Sequence, residues 1–164
     1  MTLQGMFRPG MRAYLIPLVA GTALVASTFL PWIVIDGVAL PGFPDVLALW
    51  TIGLGILTVA LATLSLVTRK NSRHPLFVIG LAALAIMILS FLIMPRAVDR
   101  RALTRAQALA IVENTDPLTP PRALVGSGIY VGLLASLAIV GFGFTIVGKR
   151  VPQPYAVADP DDDV

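Results

Sequence analysis

The chain contains no cysteine, which excludes disulfides, cysteine-ligated zinc, iron–sulfur clusters and thiol catalysis. Charge is scarce as well. Only 13% of the 164 residues are Asp, Glu, Lys or Arg, against about 25% in a typical soluble domain. That deficit excludes an ordinary water-soluble globule and a wholly disordered chain. There is a single histidine. Metal sites need several converging ligands, so His74, between Arg73 and Pro75, reads as a solvated side chain rather than a metal or pigment ligand. No HExxH, Walker A, GxSxG or GxGxxG pattern occurs. No cofactor and no metal are expected.

What the chain has in abundance is apolar sequence. Hydrophobic residues make up 57% of it, and its mean hydropathy is +0.87. A membrane-crossing helix needs about 20 apolar residues, and four stretches meet that requirement: Tyr14 to Ile35, Val46 to Val67, Leu76 to Met94 and Ala123 to Val147. None carries Asp, Glu, Lys, Arg or His. Runs such as Leu81 to Leu89 do not alternate, which argues for helices and against a membrane barrel. The first stretch is too long for the core of a secretory signal, so it is expected to remain as a span.

The links set the topology. Asp36 to Asp45 and Thr68 to Pro75 are short, and short links make neighbouring helices antiparallel. The expected fold is an all-α, four-helix, up-and-down transmembrane bundle within residues 1–150. The longest link, 95–122, is expected to face outward and to hold a short amphipathic helix lying on the membrane surface. In that reading Thr104 and Gln107 form a capping box, and Asn114 to Pro117 end the helix. Residues 151–164, ending in Asp159 and Asp161 to Asp163, are expected to be a disordered acidic tail.

Sidedness follows from where Lys and Arg sit. Arg8, Arg12, Arg69, Lys70, Arg73, Lys149 and Arg150 fall on one side, while Arg96, Arg100, Arg101, Arg105 and Arg122 fall on the other. The larger group places both termini in the cytoplasm. Ten Arg against two Lys suggests a GC-rich bacterial gene and hence the bacterial cytoplasmic membrane. The net charge of +3 is explained by these edge arginines, so nucleic acid is not an expected partner.

Candidate site residues are few. Gly128, Gly132 and Ser136 recur every four residues, which lets helix backbones approach closely; Gly53, Gly55 and Gly80 offer facing surfaces. Trp32, Trp50 and Tyr14 suit interface anchors, with an apolar body and a polar tip. Arg96, Arg100, Arg101 and Arg105 are candidates for docking an anionic lipid or a protein partner. Pumps and transporters usually keep ionisable groups within their spans, and Ser90, Ser127 and Ser136 have no acid or base there to activate them. The expected function is therefore that of a non-catalytic accessory or scaffold subunit of a larger membrane complex, such as an energy-transducing one. The alternatives are a homo-oligomeric pore or small-molecule transporter lined by Thr51, Thr58 and Ser65, and an anionic-lipid-binding protein.

Overall fold

The computed structural model describes residues 12–68, 73–116 and 119–145. Arg8, Arg69, Lys70, Lys149, Arg150 and the acidic tail lie outside the described residues, as do the side chains of Arg12 and Arg73. Among the described residues, four helices alternate in direction: α1 Leu15–Ser27, α2 Val46–Thr68, α3 Arg73–Glu113 and α4 Ser127–Phe144. Three strands, β1 Pro31–Ile35, β2 Val38–Pro41 and β3 Ala123–Val125, form an antiparallel sheet in the order β2-β1-β3. The fold is mostly helical, but it is not all-α.

Helices α2, α3 and α4 are long and apolar enough to cross a membrane. At 1.5 Å per residue, the 23 residues of α2 extend about 35 Å and the 18 residues of α4 about 27 Å. Helix α1 has 13 residues and reaches only about 20 Å. It packs on α2 and α4, while α3 packs on α4 and α2, so α1 and α3 sit diagonally across the bundle. Leu24, Ala48, Ala83, Met87, Ile129, Ala135 and Ile139 fill its centre. Tyr14, Leu76 and Phe142 close the end opposite the sheet.

The expected first span, residues 14–35, divides in two. Proline lacks an N–H and disfavours helix in the residue before it, and the helix stops ahead of Pro31. Ile33, Val34 and Ile35 are β-branched and suit a strand. Asp36 and Gly37 then take positive φ values of 49° and 77°, the conformation of a two-residue hairpin turn, for which Asp-Gly is a preferred pair. Ile35 pairs with Val38 across it. The apolar run that resembled the end of a span is the first half of a hairpin.

The link 95–122 departs further from expectation. Among the described residues of this link there is no separate surface helix; α3 runs unbroken for 41 residues, about 62 Å, with Pro95 inside it. Proline removes one backbone hydrogen bond, but the following residues, rich in Ala, Arg, Leu and Gln, are among the best helix formers. Thr104 is therefore interior to a helix and caps nothing: its Oγ1 donates to Arg100 O at 2.9 Å. The expected stop does occur. Asn114 adopts φ 52°, and Thr115 N–H donates to Ala110 O at 3.0 Å, the closing bond of a Schellman motif. The chain returns as β3, paired with β1 from Ile33↔Val125 to Ile35↔Ala123. Consequently α4 begins at Ser127 rather than Ala123.

Candidate functional site

The sheet and the distal half of α3 form a cap at one end of the bundle, and Trp32 ties the sheet to the ends of α1 and α4. The register between β1 and β2 shifts between Pro31 and Ile33, a bulge that rotates Trp32 out of the alternating pattern. Both Trp32 and its neighbour Ile33 are buried, at 1% and 5% exposed. Trp32 Nε1–H donates to Ser27 O at 2.9 Å, binding the sheet to the end of α1. Its carbonyl accepts Gly126 N–H at 2.7 Å, binding it to the segment that enters α4. A Cβ on Gly42 would lie 2.5 Å from the indole, and one on Gly128 2.6 Å from it. The ring thus occupies a recess that only glycines leave open.

Trp32 is accordingly no interface anchor: its polar tip is satisfied by backbone and its body is buried. Tyr14 is also buried, at 5% exposed, and stacks edge-on against Phe142 with centroids 5.1 Å apart. Of the three proposed anchors only Trp50, 64% exposed, presents its ring outward.

The second fastening of the cap is polar. Asp99, on α3, accepts Ala123 N–H on Oδ1 at 2.7 Å. This bond fixes β3 against the helix, across 24 residues of sequence. A hydrogen bond to a charged acceptor contributes about 1.5–3 kcal/mol. Asp99→Ala is expected to raise the hydrogen-exchange rate of the Ala123 amide by about 10- to 100-fold, leaving mid-helix amides of α2 unchanged. Unaltered exchange at Ala123 would show that the strand is held by its pairing to β1 alone. Asp45 has a local role: its Oδ1 accepts Leu47 N–H at 2.9 Å, the side-chain cap of α2.

The glycines separate into two groups. Gly55 meets Gly21 where α1 crosses α2, with a Cβ at Gly55 falling 3.0 Å from Gly21 O. Gly80 lies against Ile139 and Val140 of α4, Gly128 against Ser27 O, and Gly132 against Met87 and Ser27. Ser136 is fully buried and donates to Leu133 O at 2.9 Å. Gly53, by contrast, faces open space and joins no helix contact. The spacing of Gly128, Gly132 and Ser136 pointed to a shared face; Gly21, the counterpart of Gly55 on α1, has no comparable repeat in the sequence.

The interior hydroxyls are committed to their own helices. Thr51, Thr58 and Ser65 are all 0% exposed and donate to Leu47 O, Leu54 O and Leu61 O at 2.8 Å each. They therefore point into the bundle, and neighbouring copies of the chain would not meet them. Ser90 donates likewise to Ile86 O at 2.8 Å. His74 is exposed in the first turn of α3. Among the described residues, no group of three or more His, Cys, Asp or Glu gathers to hold a metal.

Two grooves flank α1. One, about 570 Å³, runs between α1 and α4 past Val19, Ala20, Leu134 and Ala138. The other, about 440 Å³, lies between α1 and α2 beside Thr22, Ala26 and Ile56. Both are almost wholly apolar, and the hydroxyl of Thr22 is engaged in donating to Leu18 O at 2.9 Å, so they offer shape with little to orient a ligand. The exposed features of the cap are Arg96, Arg100, Arg101 and Arg105 along α3, the apolar pair Ile111 and Val112 at its tip, and Val38, Leu40 and Leu124 on the sheet. Comparison with family models, curated proteins and solved structures finds no match to this chain.

Proposed function

We propose that this protein is a non-catalytic, multi-pass membrane protein that uses its cap to dock another subunit of a membrane complex. Four apolar helices in the bilayer hold the cap at the surface, with both termini in the cytoplasm of a bacterium. The basic residues near the termini and in the α2–α3 link favour that orientation. Helix α1, too short to span alone, completes its crossing through the Trp32 region of the cap.

One observation carries the docking role. Ile111 and Val112 are 81% and 82% exposed, and they lie 17 and 18 residues beyond Met94, where the apolar part of α3 ends. That distance is about 26 Å along a helix, well past a headgroup layer of roughly 6–8 Å. With α3 upright in the bilayer, as this reading has it, lipid does not cover them there. Apolar side chains clustered on a water-exposed tip mark interaction surfaces, and a long helix anchored at its base by Asp99 holds this tip away from the membrane.

The absence of cysteine permits a direct test with V112C. A membrane-impermeant maleimide is expected to label intact cells from outside, and a crosslinker at this position to capture one defined membrane protein. The same protein should remain attached after gentle extraction, and Ile111→Asp with Val112→Asp should release it while the bundle stays folded. A lone 17.4 kDa monomer in native-size measurements would overturn the docking role. Labelling only after the cells are opened would reverse the orientation.

A further inference from the structure

The cap assembles three cations that the sequence keeps apart. Arg96 and Arg100 lie one turn from each other on α3, flanking Asp99, and both are exposed. Arg122, also exposed, directly precedes Ala123, whose N–H is held by Asp99. That bond brings residue 122 to the level of residues 96–100. Arg101 belongs to the same helix but is turned about 160° from Asp99, and Arg105 lies about 9 Å further along the axis.

Their depth is specific. Arg96 stands two residues past Met94, about 3 Å along the helix axis, at the level where hydrocarbon gives way to headgroups. Among the described residues no ion pair engages any of the three guanidinium groups. The carboxylates nearby are Asp99, with one oxygen already accepting the Ala123 N–H, and Asp36, which follows the Ile35↔Ala123 pair beside Arg122. Asp45 is occupied in capping α2. Glu113 and Asp116 lie at the far tip, about 20 Å or more further along α3. Asp99 and Asp36 therefore share the membrane end of the cap with the three arginines, and only Glu113 and Asp116 lie at its far tip.

We infer that Arg96, Arg100 and Arg122 form a headgroup site for an anionic phospholipid in the leaflet beneath the cap. Guanidinium groups bind phosphate oxygens through paired N–H donors, and cations at a membrane surface attract anionic lipid. The inference rests on the membrane reading proposed above. It adds a lipid ligand whose site depends on the Asp99–Ala123 bond.

The test is native mass spectrometry of the purified full-length protein with equimolar synthetic phosphatidylglycerol and phosphatidylcholine. The wild type is expected to retain phosphatidylglycerol preferentially, with retention falling about fivefold for each of Arg96→Ala, Arg100→Ala and Arg122→Ala. Raised salt should weaken it. Asp99→Ala should lower retention as Arg122→Ala does, because it frees residue 122 from α3. Arg101→Ala with Arg105→Ala should change it less than twofold. Equal retention of both lipids, an unchanged triple variant, or an equal loss on replacing Arg101 and Arg105 would overturn the inference. Displacement by millimolar glycerol phosphate would also overturn it, by making the site one for soluble phosphate. Flotation with phosphatidylcholine vesicles separates the two readings: a chain that floats without preferring phosphatidylglycerol defeats only the lipid site, whereas one that fails to float defeats the membrane reading itself.

Discussion

Trp32→Ala is expected to destabilise the protein by about 3–5 kcal/mol, the usual cost of removing a large buried aromatic side chain. The indole is 1% exposed, and the recess around it is lined by Gly42 and Gly128, which have no side chains to move into the vacated space. Its Nε1–H also leaves Ser27 O without that donor. Unfolding of the full chain in mixed micelles, followed by circular dichroism, measures the loss. A second substitution identifies its source. The three atoms nearest a Cβ at Gly42 all belong to the indole, at 2.5 to 2.8 Å, so Gly42→Ala should destabilise the wild type and be nearly neutral once Trp32 is alanine. Such non-additivity is the mark of direct contact. A loss below about 1 kcal/mol for Trp32→Ala, or additive effects in the pair, would show that the cap is not held through this ring.

The other large effect is a contrast between two glycine-to-alanine changes. Gly128→Ala puts a methyl group 2.6 Å from Ser27 O and 3.0 Å from Leu30 O. Both atoms are backbone, so the ends of α1 and α4 must separate. Overpacking typically costs 1–3 kcal/mol and sometimes more; with no flexible side chain able to yield to Ser27 O, a loss of about 3 kcal/mol is expected here. Gly53→Ala puts its methyl group in open space, where the better helix propensity of alanine should stabilise α2 by about 0.5–1 kcal/mol. The same unfolding assay reads both. Equal effects, or the reverse order, would mean that the α1–α4 contact is looser than its geometry indicates.

These contrasts mark how far sequence patterning reaches. Gly53 and Gly55 are two residues apart and alike in composition, yet only Gly55 meets α1. A helical period shows which residues share a face, but not which face meets a neighbour. Arg96 to Arg105 show the same gap. Their placement on a helix was legible, because Ala, Leu and Arg favour one. The unbroken passage through Pro95 was not, because proline more often ends or kinks a helix than continues it. Asp99 gave no warning of its role, since a lone acid among arginines reads as a local partner for them. Its actual partner is a backbone N–H supplied by a distant strand.

One misreading had a visible signal. The segment Ile33-Val34-Ile35-Asp36-Gly37-Val38-Ala39-Leu40 contains an Asp-Gly pair between β-branched and apolar residues, a strong hairpin pattern. The count of consecutive apolar residues outweighed it, because hydropathy measures the preference for leaving water and is indifferent to backbone conformation.

By itself the sequence determined where the long apolar helices lie, that they are joined by short links, and where the distal end of α3 stops. Those properties follow from residue-by-residue solvation, helix propensity and backbone stereochemistry, which act locally. Only the tertiary structure decided that Trp32 is a buried fastener rather than an anchor, and that α1 is cut short to supply a strand. The same holds for Asp99, which brings residue 122 beside residues 96–100. Each depends on two segments distant in the chain meeting at one point, and no local preference specifies which two will meet.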